Sequence, residues 1–225
     1  HLPRNGGLCP GIWKAAREQR PDIIVLTGDL VDKWSSDFTD SLRAFCKGLT
    51  GICDVYAVTG NHEIYNAHLA EWKRVVLDSG VRLLDNTYLR LERDGQAILI
   101  MGLGDGTDIS PAAISVPAED DNFYKILLAH KPICWKNRAF YPWKPDLVFS
   151  GHAHGGQFRL PGIGGVVAPD QGWFPPLTSG LYSFDSGVRL VVSRGLGNGL
   201  LPLRIQNRPH IPVVTLCPTP DPKNS

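Results

Sequence analysis

Four runs of apolar and β-branched residues each end in a turn bearing a group that can bind a metal ion or move a proton. They are Ile23 to Leu26 running into Thr27-Gly28-Asp29, Val55 to Val58 into Thr59-Gly60-Asn61-His62-Glu63, Ile126 to Ala129 into His130, and Leu147 to Ser150 into Gly151-His152-Ala153-His154. Imidazole, carboxylate and amide oxygen form a borderline-hard donor set suited to Mn, Fe, Zn, Ni or Co, unlike the thiolate cage of structural zinc. A carboxylate such as Asp29 can bridge two divalent ions about 3.5–4 Å apart while neutral imidazoles complete each shell, and that bridge would also hold a hydroxide. Taken singly each piece is ordinary, since Gly-Asp is a common turn and a lone histidine such as His130 more often serves the core. Taken together and in order, all after strands, they point to one site.

The elements must bring these turns together. Ligands in open α/β sheets bind beyond the carboxyl ends of the strands, so four such ends are expected to converge. Glycine before Asp29, Asn61 and His152 suits a sharp turn that aims the next side chain into the crevice. The apolar runs predict strands near Ile23 to Thr27, Val55 to Thr59, Ala97 to Leu103, Ile126 to Ala129 and Leu147 to Ser150. Between them, Ser41 to Lys47 and Ala67 to Asp78 read as packing helices, the second carrying Leu69, Trp72, Val75 and Val76 at helical spacing. Two hairpins are expected, one turning at Arg93-Asp94-Gly95-Gln96 and one at Asp185-Ser186-Gly187. The sheets are therefore mixed.

The 225 residues suffice for one domain, expected over 1–217, with the proline-bearing tail 218–225 frayed. Lys+Arg number 23 against Asp+Glu 22, so no global charge points to nucleic acid. No apolar run approaches the roughly 18 residues of a membrane span. The five cysteines are scattered without a Cys-x-x-Cys pair, which argues against a disulfide framework or a thiolate zinc site. There is no Gly-x-Ser-x-Gly elbow, Walker lysine or Gly-x-Gly-x-x-Gly fingerprint. Met101 is the sole methionine, so a chain beginning at His1 is expected to be shorter than its primary translation product.

Gly28-Asp29, Gly60-Asn61-His62-Glu63, His130 and Gly151-His152-Ala153-His154 resemble, in order, the signature of the calcineurin-like metallophosphoesterases. The segment Gly151 to Gln157, Ser193-Arg194-Gly195-Leu196-Gly197 and Pro202-Leu203-Arg204 are similar to its bacterial membrane-associated or exported phosphodiesterase branch. The resemblance implies a layered αββα sandwich and phosphoester hydrolysis, of phosphodiesters or pyrophosphates, by a metal-bound hydroxide with two divalent ions, Mn favoured. It also implies roles. One metal takes Asp29, Asn61, His130 and His152; the other takes bridging Asp29, His154 and His1, the last residue of an opening Asp-x-His motif whose Asp and strand are missing. His62 is expected to protonate the leaving oxygen, its ring oriented by Glu63 or a backbone carbonyl. A non-catalytic scaffold that binds a partner on a degenerate site is the competing expectation.

Arg194 is a candidate contact for the substrate phosphate, because guanidinium suits such anions. His68 and His210 have no case for the site. Two aromatic, proline-bearing stretches, Ala139 to Trp143 and Trp173 to Leu177, are expected to pack over sheet edges, with contact to lipid as the alternative. The expected substrate is a small phosphoester, lipid-linked or nucleotide-linked, and peripheral membrane association is one reading. Oligomeric state and localisation are left open, the cysteines favouring the cytoplasm and the branch resemblance favouring a membrane.

Overall fold

The computed structural model describes residues 7, 9–106, 113–132, 144–197 and 203–217. His1 and the stretch Ala139 to Trp143 lie outside the described residues, as does the tail 218–225.

The first half alternates helix and strand. Helix α1 spans Cys9–Gln19, β1 Ile23–Leu26, α2 Thr39–Thr50, β2 Asp54–Ala57, the single turn α3 Asn61–Ile64, α4 Leu69–Asp78 and β3 Arg82–Leu83. Helix α2 forms because Leu42, Phe45, Cys46 and Leu49 recur at spacings of three and four, one buried stripe facing the sheet. Asp40 in its first turn and Lys47 in its last suit the helix dipole. The strands β1, β2 and β3 run parallel in one three-stranded sheet.

The second half builds a larger sheet. Strands β4 (Thr87–Arg93) and β5 (Gln96–Leu103) form the first expected hairpin, with Asp94 and Gly95 both at positive φ, as a two-residue primed turn requires. Strands β6 (Tyr124–Ala129), β7 (Leu147–Ser150), β12 (Gly180–Ser183) and β13 (Arg189–Val192) complete a six-stranded sheet of order β12-β13-β7-β6-β5-β4. Its inner strands β5, β6, β7 and β13 are parallel, and the edge strands β4 and β12 are antiparallel. Between β7 and β12 lie two small antiparallel pairs, β8 (Arg159–Leu160) with β9 (Gly164–Gly165), and β10 (Val167–Ala168) with β11 (Gly172–Trp173).

Alternation along the strands divides the interior into layers. Val55 and Ala57 of β2 pack against α1, α2 and α4, with Trp72 at 0% exposure in that cluster. Tyr56 on the opposite face joins Ile100, Ile126, Leu128 and Val191 to fill the space between the two sheets. The far face of the large sheet presents Leu99, Met101, Leu127, Val148 and Leu190 to Ile114, Ala168 and Leu177. The expected layered architecture of mixed sheets is present. On that far face the described covering is not helical: it consists of short pairs, loops and a 3-10 turn at Ala118–Asp120, in chain rich in proline and glycine.

Candidate metal centre and active site

Because β1 and β2 are parallel, and β6, β7 and β13 are parallel, their carboxyl ends open on one side of the molecule. The turns after β1 and β2 interlock across a very short gap. Gly28 takes φ 86, and a Cβ there would stand 2.5 Å from the Gly60 backbone nitrogen. Gly60 has an ordinary φ of −103, but a Cβ on it would lie 2.3 Å from Asp29 Oδ1. Conformational freedom thus explains Gly28, whereas close approach explains Gly60. Asp29, His152 and His154 themselves adopt left-handed φ of 55, 60 and 48, strained values for residues with side chains and a recurrent mark of functional turns.

The ligand-type atoms meet at His130. Its Nδ1 lies 2.7 Å from the Thr27 carbonyl oxygen, an acceptor, so Nδ1 carries the proton and Nε2 faces the cluster. Around Nε2 stand Asp29 Oδ2, Asn61 Oδ1 and His152 Nδ1, each at 3.1 Å. Asp29 Oδ2 is buried without a hydrogen-bond donor. Such a concentration of lone pairs is repulsive unless a proton or a cation occupies its centre. The donor set fits a divalent cation, and Asp29, His130 and His152 bring their ligand atoms within 4.8 Å of one another. Burial alone would raise the Asp29 carboxyl, but the adjoining His130 and His62 rings hold it well below the usual carboxylate range. Burial disfavours a charged His130, yet Asp29 beside it lifts that ring above its ordinary value.

His154 lines the same cleft, and burial pushes its ring down to about 3, leaving it neutral and able to ligate at physiological pH. Its backbone carbonyl accepts a hydrogen bond of 2.6 Å from Asn207 Nδ2, which also donates to the Gln157 carbonyl. The expected partner His1 lies outside the described residues.

His62 follows Asn61 on α3, and its backbone N–H donates to Asp29 Oδ1 at 2.9 Å. Of the two orienters expected for its ring, Glu63 or a backbone carbonyl, Glu63 is engaged elsewhere. The fully buried Glu63 carboxylate instead accepts the backbone N–H groups of Asp29 (2.7 Å), Gly60 (2.9 Å) and Val31 (3.1 Å), clamping the two ligand turns together. The His62 Nδ1 accepts the backbone N–H of Lys33 at 3.2 Å, so a neutral ring carries its proton on Nε2. Burial lowers this ring from its ordinary value, against the pull of Asp29 and Asp32.

Arg194 follows β13 and lines the cleft with Arg204. Its Nε is buried without a partner, and no carboxylate pairs with it among the described residues. Arg204 is differently employed: its guanidinium donates to the carbonyls of Arg194 (3.0 Å), Gly195 (3.4 Å) and Gly197, holding the loop that carries Arg194. His68 pairs at 3.9 Å with Glu71, away from the cluster. Sequence reading missed Asn207 and Asp170, whose Oδ2 stands 3.0 Å from His152 Nε2, because each comes from an irregular segment with no periodic signal, and it singled out Arg204 without assigning it a role. It also misjudged Trp173 and Phe174. They do not pack over a sheet edge but are 74% and 61% exposed, while Leu177 of the same stretch is buried.

Comparison with known proteins places the chain among metallophosphoesterases. The chain is 32% identical over 205 residues to the uncharacterized metallophosphoesterase YkuE of Bacillus subtilis, covering 90% of this chain and 70% of that one. It is 29% identical to the phosphodiesterase YaeI of Escherichia coli, covering 88% and 72% respectively. It spans 31% and 48% of the length of two animal relatives. The fold is similar to that of TT1561 of Thermus thermophilus, with a TM-score of 0.52 at 16% identity over 84% of each chain. The sequence profile of the calcineurin-like phosphoesterases matches residues 10–156, and with the motifs and the sheet topology this establishes that the chain belongs to that family.

Proposed function

We propose that this protein hydrolyses phosphodiester or pyrophosphate bonds with two divalent ions, Mn²⁺ first among them. The observation that carries the reading is the convergence of Asp29 Oδ2, Asn61 Oδ1 and His152 Nδ1 on His130 Nε2, each at 3.1 Å, beside a histidine whose Nδ1 is already occupied. Asp29, Asn61, His130 and His152 hold one ion, and Asp29 and His154, with His1, hold the other. When bound, the ions neutralise phosphoryl oxygens and make a nucleophilic water available near neutral pH. His62 supplies its Nε2 proton to the departing oxygen, and the Lys33 N–H keeps Nδ1 from competing for that proton. Arg194, which lines the cleft and whose Nε is buried without a partner, binds the phosphate oxygens. Retention of Asp29, Asn61, His62, His130, His152 and His154 weighs against a non-catalytic scaffold.

The test is Mn²⁺-dependent hydrolysis of bis(p-nitrophenyl) phosphate by wild type and His62→Ala, with bound metal counted in the same samples. The substitution should lower kcat about 10²–10⁴-fold at unchanged metal content, the usual yield of general acid catalysis. A metal-loaded wild type with no turnover on phosphodiesters or pyrophosphates would overturn the reading.

The finer reading is a substrate with an apolar moiety, as in the membrane-associated branch. Exposed Trp173 and Phe174 support it, because aromatic side chains open to solvent suit contact with a lipid-linked ester or a bilayer face. No helix among the described residues is long and apolar enough to cross a membrane. Replacing Trp173 and Phe174 with Ser should reduce co-sedimentation with phosphatidylglycerol vesicles several-fold; undiminished binding would remove the lipid face from the argument.

A further inference from the structure

The cluster leaves one question of geometry open: what keeps His152 turned so that Nδ1, rather than Nε2, faces His130. A neutral imidazole has one N–H and one lone pair; the other tautomer exchanges them, and a half-turn about Cβ–Cγ would put ring carbons where the two nitrogens stand. His152 Nδ1 stands 3.1 Å from His130 Nε2, and its Nε2 stands 3.0 Å from Asp170 Oδ2. Asp170 comes from the three-residue connection of the β10–β11 pair, 18 residues along the chain.

That connection is built to present a carboxylate. Gln171 braces it twice, its Nε2 donating to the Leu177 carbonyl and its Oε1 accepting the Leu177 N–H, both at 3.0 Å. Leu177 and Ala168, at the two sides of the turn, are buried in the core beneath the large sheet. Asp170 adopts φ 57, which sets its carboxylate apart from the run of the hairpin. Lys131, the residue after His130, approaches the same Oδ2 at 3.6 Å and is itself balanced by Asp105 at 3.6 Å. A charge row of Asp105, Lys131 and Asp170 therefore ends on His152.

We infer that Asp170 is a positioning residue that accepts the His152 Nε2 proton and thereby directs the Nδ1 lone pair into the cation site. The inference rests on reading the Asp29–His130–His152 cluster as that site. A carboxylate behind a ligating imidazole fixes ring orientation and raises ligand basicity, and loss of such a partner typically weakens metal binding about 10–100-fold. The β10–β11 pair, otherwise a minor ornament of the fold, becomes part of the metal centre.

The experiment titrates Mn²⁺ into metal-free wild type, Asp170→Ala and Asp170→Asn, reading affinity and stoichiometry by calorimetry and the melting temperature of each metal-free protein. Asp170→Ala should weaken one equivalent about 10–100-fold with the metal-free melting temperature unchanged. Asp170→Asn, which keeps an acceptor but not the charge, should fall between, and turnover should recover toward wild type at high Mn²⁺. Wild-type affinity in Asp170→Ala overturns the inference alone, and so does a loss in which melting temperature falls in step with affinity in both variants. Failure of wild type itself to bind metal removes the cation-site reading, and this inference with it.

Discussion

At the scale of single residues, Glu63 does the most unexpected work. A glutamate after Asn-His is one of two candidates to orient the His62 ring, yet its carboxylate is spent on three buried backbone N–H groups, those of Asp29, Gly60 and Val31. Burial and the nearby Asp29 push its carboxyl up from the ordinary value, against these donors. Glu63→Ala would leave three donors without an acceptor, each costing about 1–3 kcal/mol. Urea denaturation of the metal-free protein should therefore show a loss of about 3 kcal/mol or more; a change below about 0.5 kcal/mol would mean that water replaces the carboxylate. That Asp29, Asn61, His130 and His152 meet at one place, with His154 in the same cleft, was legible because few residue types offer metal-binding atoms and these follow strand ends. The role of Glu63 was not, since backbone donors leave no trace in sequence.

At the scale of elements, the site depends on turns that approach more closely than side chains permit. Gly28 and Gly60 cap β1 and β2, and the two backbones meet where a Cβ on Gly28 would be 2.5 Å from one backbone nitrogen and 2.9 Å from His130 Nδ1. Gly28→Ala should thus separate the turns, costing about 2 kcal/mol or more from strain and lost contacts. It should also lower Mn²⁺ affinity, whereas normal binding and melting would show that the turns yield. Strand and helix positions were readable from periodicity: β7 lies where the sequence places it, and α2 extends the expected Ser41–Lys47 to Thr39–Thr50. The single turn α3 and the pairs β8–β9 and β10–β11 were not, because two-residue strands and one-turn helices are too short to show a period, and neither was helix α1, which buries only Cys9 of its eleven residues and so has no broad apolar stripe.

At the scale of the whole molecule, bringing the histidines together under burial makes stability depend on pH. Burial pushes His154 down to about 3 and also lowers His152 and His62, while His130 is raised despite burial, by Asp29. In the unfolded chain these rings titrate near about 6.5. Between that value and about 3 the unfolded state binds the proton that folded His154 refuses, so His154 favours folding least at acid pH. His130 acts oppositely, its contribution being full below the unfolded value and lost as pH rises through its folded one. With His210 also lowered by burial, four described rings are lowered against one raised, so the metal-free melting temperature should fall from pH 7 to pH 5, and His154→Gln should flatten that slope. A flat wild-type profile would count against neutral, buried imidazoles. The sequence by itself determined the class of fold, the ligand types and the convergence of strand ends, since apolar periodicity and metal-ligand chemistry are both written in residue type. Only the tertiary structure decided which nitrogen of His62, His130 and His152 faces the site, why Gly60 is glycine, and that Asp170, Asn207 and Arg204 support it. Those depend on contacts between residues far apart in the chain, where hydrogen-bond geometry rather than composition selects the partner.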